Sequence, residues 1–156
     1  MRTLVDTNVL VRLVQLGHPL QAVALAAVHA LNGRGHDLCV VPQVIYEFWV
    51  ACTRPTAVNG LGMEPGAVKA EIDRGRPLFP LVADIGEIYD EWERLVVEYA
   101  ARGKPAHDAR LVAAMRVHGV PALLTFNTAD FARYSDIGIL SPDVAAHAGG
   151  LPGTIP

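Results

Sequence analysis

Four carboxylates in this 156-residue chain occupy positions where a negative charge is costly or purposeful. Asp6 directly follows Thr3-Leu4-Val5, a short, partly β-branched run of the kind that forms a strand buried on both faces. Glu47 lies between Val44-Ile45-Tyr46 and Phe48-Trp49-Val50, an apolar stretch in which an unpaired carboxylate is strongly disfavoured. Asp108 opens the helix that begins after Gly103-Lys104-Pro105, and Asp130, with Asn127 beside it, comes just after the buried run Ala122-Leu123-Leu124-Thr125. Carboxylates gathered in one crevice raise one another's pKa or demand a cation. Oxygen-only donors with open positions suit Mg2+ or Mn2+, which keep several waters. Each acid also has a plainer use. Asp6 could cap the next helix, Glu47 could sit on an exposed stripe or in a core ion pair, and Asp108 could answer a helix dipole.

Other chemistries lack their residues. His107, His118 and His147 have no partners at zinc-ligand intervals, and the two cysteines, Cys39 and Cys52, form no Cys-x-x-Cys pair. Both lie in apolar surroundings and read as buried free thiols of a reducing cytoplasm. A phosphate-cradling Gly-rich loop and a Gly-x-Ser-x-Gly elbow are missing. A phosphotransferase of the haloacid-dehalogenase type would carry a second Asp two residues after the first, where this chain has Asn8. A receiver-like phosphoacceptor would want adjacent acids near residue 6 and a lysine after a late strand, and neither is present. The net charge of −3 carries no basic excess of the kind that marks many nucleic-acid binders. No apolar run reaches the length that spans a bilayer, and Asp6 interrupts the N-terminal apolar segment too early for a signal peptide.

The elements that must carry these side chains alternate between strand and helix. With 51% hydrophobic residues the chain can bury a single core. The pattern predicts a strand over Thr3-Leu4-Val5, helices over 9–16 and 20–31, and a second buried strand at Leu38-Cys39-Val40-Val41. A Pro42-started helix over 43–53 follows, apolar nearly all round and so expected to be buried on most sides. Residues 64–76 read as a polar surface helix, and Leu78-Phe79-Pro80-Leu81-Val82 as a connector or edge segment. Asp84 and Glu87 resemble a capping box that opens a helix reaching Ala101. On that helix Ile85, Ile88, Trp92, Leu95 and Tyr99 form the buried stripe, and Asp90, Glu91, Glu93 and Glu98 the solvated face. A third strand over Ala122–Thr125 and a last short one over Ile137–Leu140 complete the sheet. In such open α/β sheets, ligands bind beyond the carboxyl ends of the strands. Residues 1–140 form one domain, and the Gly- and Pro-rich stretch 141–156 is a tail, either part of that domain or loosely ordered.

Four segments then carry a family resemblance. Leu4-Val5-Asp6-Thr7-Asn8, Glu47 in its Pro-started helix, His107-Asp108-Ala109-Arg110-Leu111, and Leu124-Thr125-Phe126-Asn127-Thr128-Ala129-Asp130-Phe131 follow one another in a characteristic order and spacing. They resemble the signature segments of PIN-domain ribonucleases, specifically the VapC-type toxins of bacterial type II toxin–antitoxin modules. The resemblance implies a three-layer α/β/α fold around a mainly parallel sheet and Mg2+- or Mn2+-dependent endoribonuclease activity in the cytoplasm. It implies Asp6 and Asp108 as leading metal ligands, Glu47 completing the site, and Asp130 as a further catalytic acid, with Asn8, Thr125 and Asn127 in support. The family often has Asp where this chain has Asn127, so either Asn127 or Asp130 would complete the set, around one ion or two. Lys104, His107 and Arg110 are candidates to meet the RNA backbone. Expected partners are RNA, a cognate antitoxin whose segment covers the groove built by 9–31 and 43–53, and a second copy of the chain. The competing expectation is a PIN-like scaffold that has lost catalysis and only binds a partner.

Overall fold

A computed structural model describes residues 1–147. Four short parallel strands form one sheet in the order β2-β1-β3-β4, flanked by helices. The strands are β1 (Arg2–Val5), β2 (Asp37–Cys39), β3 (Ala122–Leu124) and β4 (Gly138–Leu140). β1 lies at the centre, with Leu4 opposite Cys39 on one side and Leu123 on the other. Leu4, Val5, Leu123 and Leu124 are wholly buried, as strands covered on both faces require. The expected α/β class and parallel sheet are therefore what the chain forms.

Two helices, α1 (Thr7–Val14) and α2 (Gln21–Gly33), join β1 to β2. The long crossover from β2 to β3 holds α3 (Pro42–Thr53), α4 (Pro65–Gly75), α5 (Glu87–Glu98) and α6 (Pro105–Val117). Three of these begin with proline, whose fixed φ and missing N–H suit a first helical position. Gly119, at φ +61, turns α6 into β3 with a backbone conformation that a side chain would strain. The expected edge segment is a single parallel bridge between Leu81 and Val40. Among the described residues no helix is long and apolar enough to cross a membrane.

Several expectations need correction. Asp84 does not cap α5: the helix starts three residues later, after Gly86, and the Asp84 carboxylate pairs with Arg110 instead. α3 is not buried all round, since Tyr46 is 65% exposed and Val50 50%. The acid face of α5 is solvated except for Glu91, which is half-buried against Arg116. Two short helices stand where only loop and tail were read, α7 (Thr128–Phe131) and α8 (Pro142–His147). α8 packs against α2, burying Ala145, whose carbonyl accepts from the Arg34 guanidinium at 2.6 Å. The remainder of the expected tail, 148–156, lies outside the described residues.

Candidate active site

Asp6 leaves β1 at its carboxyl end, its N–H still bonded to the Leu124 carbonyl of β3 at 3.0 Å. It occupies the cap position of α1 but makes no side-chain capping bond. The residue is 8% exposed, and its carboxylate is held from the neighbouring strand end. Oδ2 accepts from the Thr125 hydroxyl at 2.6 Å and from Asn8 Nδ2 at 2.7 Å. The same Asn8 amide also donates to Thr125 Oγ1 at 3.0 Å, while Asn8 Oδ1 accepts from the Phe126 N–H at 3.1 Å. Asn8 and Thr125 thus stitch the ends of two adjacent strands together around one carboxyl oxygen.

Burial pushes the Asp6 pKa up to about 6, against the hydrogen bonds from Thr125 and Thr7, which favour the charged form. The charges of Glu47 and Asp108 push in the same direction as burial. Asp108, in the first turn of α6, is raised above the usual carboxylate range, again chiefly by burial and then by the charge of Asp130. Lys104 and His107 oppose that rise, and Glu47 adds to it. Asp108 thus lies between the other acids, facing Glu47 and Asp6 on one side and Asp130 on the other.

Glu47 is half-buried and has a donor on each oxygen. Thr7 Oγ1 donates to Oε2 at 2.9 Å, and Gln43 Nε2 donates to Oε1 at 2.9 Å. Neither Thr7 nor Gln43 stood out as functional in the sequence. The available signal was spacing: Gln43 precedes Glu47 by four residues, so the two share a helix face. Asp130 and Asn127 are exposed, at the head of α7. The Asn127 N–H donates to Thr125 Oγ1 at 3.0 Å. Of the three residues expected to meet RNA, Lys104 and His107 are exposed, whereas the Arg110 guanidinium is engaged within the chain by Asp84 at 2.7 Å and Gln43 at 3.2 Å.

The donors fit a hard divalent cation in type and charge: all are oxygens, and their mutual repulsion is only partly offset by neighbouring cations. Among the described residues, however, no three His, Cys, Asp or Glu side chains form a group able to hold an ion as they stand. The acids are gathered into one field without being closed into a cage.

A second feature lies on the other side of α3. A cavity of about 300 Å³ is lined mainly by apolar side chains, including Leu10, Leu13, Ile45, Tyr46, Ile72 and Phe79. It is built by α1, α3, α4 and the segment around Phe79. α2 does not line it, although it belonged to the stretch expected to form a partner groove.

Solved structures resemble this arrangement closely in fold and distantly in sequence. The VapBC2 structure from Rickettsia felis, bound to a DNA fragment from its promoter, matches with a TM-score of 0.69 and 12% identity, covering 90% of this chain and 98% of that one. A toxin–antitoxin complex from Klebsiella pneumoniae matches at 0.62 and 21% identity, covering 90% and 97%. VapC20 of Mycobacterium tuberculosis, a sarcin-ricin loop cleaving toxin, matches at 0.63 and 17% identity, covering 85% and 95%. No protein with a curated description matches the sequence. The family model described as the PIN domain matches residues 3–137, the stretch that contains all four acids, β2, β3 and all but the first residue of β1. The chain belongs to the PIN-domain family.

Proposed function

We propose that this protein is a metal-dependent endoribonuclease and the toxin of a toxin–antitoxin pair. The observation that carries this reading is the convergence of Asp6, Glu47 and Asp108: Thr7, next to Asp6, donates to Glu47, and Gln43 joins Glu47 to the carbonyl of His107, next to Asp108. Family membership and the toxin–antitoxin proteins among its structural neighbours support it.

Asp6 and Asp108 would be the leading ligands of Mg2+ or Mn2+, with Glu47 completing the set and Asp130 or Asn127 as the outermost contributor. When bound, the ion would supply the positive charge that makes a water nucleophilic at neutral pH and stabilises the departing 3′-oxygen. Thr125 and Asn8 hold the Asp6 carboxylate in one orientation, so its unbonded lone pairs face a fixed direction. Lys104 and His107, exposed beside Asp108, meet the RNA backbone. RNA specificity lies in the shape of this rim. The apolar groove between α1, α3 and α4 receives a segment of the antitoxin, burying an amphipathic helix face. Residence in the cytoplasm and assembly as a homodimer belong to the same proposal, the latter checked by light scattering.

The test is RNA cleavage with Mn2+, followed by EDTA. Cleavage that EDTA abolishes, and that Asp6→Ala and Asp108→Ala lose while remaining folded, supports the nuclease. A folded Asp6→Ala or Asp108→Ala protein that cuts at the wild-type rate contradicts it. Asn127, which stands where the family often has an acid, favours a second reading, a binding module without catalysis. That reading predicts tight partner binding and no cleavage with any divalent ion.

A further inference from the structure

Gln43 is one of four polar or charged side chains enclosed by the described core, being 8% exposed. Both its amide nitrogen and its amide oxygen are engaged. Nε2 donates to Glu47 Oε1 at 2.9 Å and to the His107 carbonyl at 3.0 Å, and Oε1 accepts from Arg110 Nη1 at 3.2 Å. Arg110 is itself anchored, its Nη2 donating to Asp84 at 2.7 Å.

This arrangement permits only one orientation of the amide. A guanidinium is donor-only, whereas a carboxylate and a carbonyl are acceptors. Turning the amide over would set its NH2 group against Arg110 and its oxygen against Glu47 and the His107 carbonyl, losing every bond. Arg110 thus fixes which end of Gln43 faces the acids, and that end fixes Glu47. The same NH2 group joins α3 to the residue immediately before Asp108. The relation between two of the proposed ligands, on α3 and α6, therefore passes through one buried side chain. From the opposite side the Thr7 hydroxyl holds the other Glu47 oxygen, so the carboxylate has little freedom left.

We propose that Gln43, oriented by Arg110, is the positioning residue that holds Glu47 at the first turn of α6; the inference rests on the metal-nuclease reading above. Groups that support metal ligands in this way typically change affinity or rate by about 10- to 100-fold when removed.

The test is Gln43→Met, which fills the space without an amide, measured on full-length protein shown to be folded by circular dichroism. Expected are a fall in kcat of about 10-fold or more with KM nearly unchanged, and Mn2+ affinity weakened to a similar degree by calorimetry. A residue that merely packs the core would move stability and leave both readouts alone. Gln43→Met protein that binds Mn2+ and cleaves RNA as well as wild type overturns the proposal. Wild-type protein that takes up no Mn2+ and cuts no RNA defeats the nuclease reading instead. The positioning is then decided by a double-mutant cycle in thermal unfolding between Gln43→Met and Glu47→Gln. Losses that overlap support it, and losses that simply add overturn it.

Discussion

The Thr125 hydroxyl donates to Asp6 Oδ2 at 2.6 Å across 119 positions of sequence, at the point where two neighbouring parallel strands end. That bond favours the charged carboxylate in a place where burial opposes it. Thr125→Val keeps the shape and removes the donor. The Asp6 pKa should rise above about 6, and RNA cleavage should need a higher pH in the variant. A pH–rate profile identical to wild type would show that the hydroxyl does not hold the acid.

Asp6 also sets a pH dependence of stability. Its folded pKa, about 6, lies above its ordinary value of 3.8. Between those values the folded state holds a proton that the unfolded chain has released, so stability falls as pH rises through this window and levels off above it. The penalty at neutral pH is on the order of 3 kcal/mol. Asp6→Asn should therefore unfold at a higher temperature than wild type near pH 7.5 in EDTA, and the gap should close near pH 3.5. The same variant should cleave no RNA.

Arg110 can act on RNA directly or through Gln43, and kinetics separate the two. If its guanidinium held a phosphate, Arg110→Met would raise KM and lower the salt dependence of binding. If it serves as the anchor for Gln43, the same change lowers kcat and leaves the salt slope alone. The second outcome is expected, because both Nη atoms already have partners within the chain.

The groove between α1, α3 and α4 should be separable from catalysis. Leu13→Glu places a carboxylate among apolar lining residues, and a helical antitoxin segment should bind at least about 10-fold more weakly. RNA cleavage by the free variant should stay at the wild-type rate. Equal antitoxin affinity in a binding titration would move the partner to another surface.

Arg116 ties α6 to two other parts of the chain, donating to Asp136 at 2.6 and 2.7 Å and to Glu91 at 3.0 Å. The Arg116 and Glu91 side chains are 19% and 18% exposed, so water does not fully screen that pair, whereas Asp136 is 49% exposed. Arg116→Met should cost about 1–3 kcal/mol and lower the melting temperature, with little effect on kcat. A melting temperature unchanged from wild type would mean that the bridges contribute nothing.

Much of this protein was legible in its sequence because the signals are local. A β-branched run before Asp6, Pro42 at the first position of the helix that carries Glu47, and acids placed after apolar strands each follow from a few neighbouring residues. They led to the parallel sheet, to most of the helices and to the family. What failed also failed locally: the Asp84–Glu87 spacing is correct for a capping box, yet Asp84 is 26 positions from the Arg110 that takes it. The helix α8 has too little apolar surface to be read without α2 beneath it.

The sequence by itself determined which acids exist and that a strand end, a helix middle and a helix start would carry them. Only the tertiary structure decided that Asp6 is gripped by Thr125 and Asn8 instead of capping α1, and that Glu47 is held between Thr7 and Gln43. It also decided that Arg110 points inward to Asp84 and Gln43. The physical reason is that hydrogen-bond partners of a buried polar group are chosen by whatever the fold brings within about 3 Å. For these side chains, the fold brings together residues up to 119 positions apart.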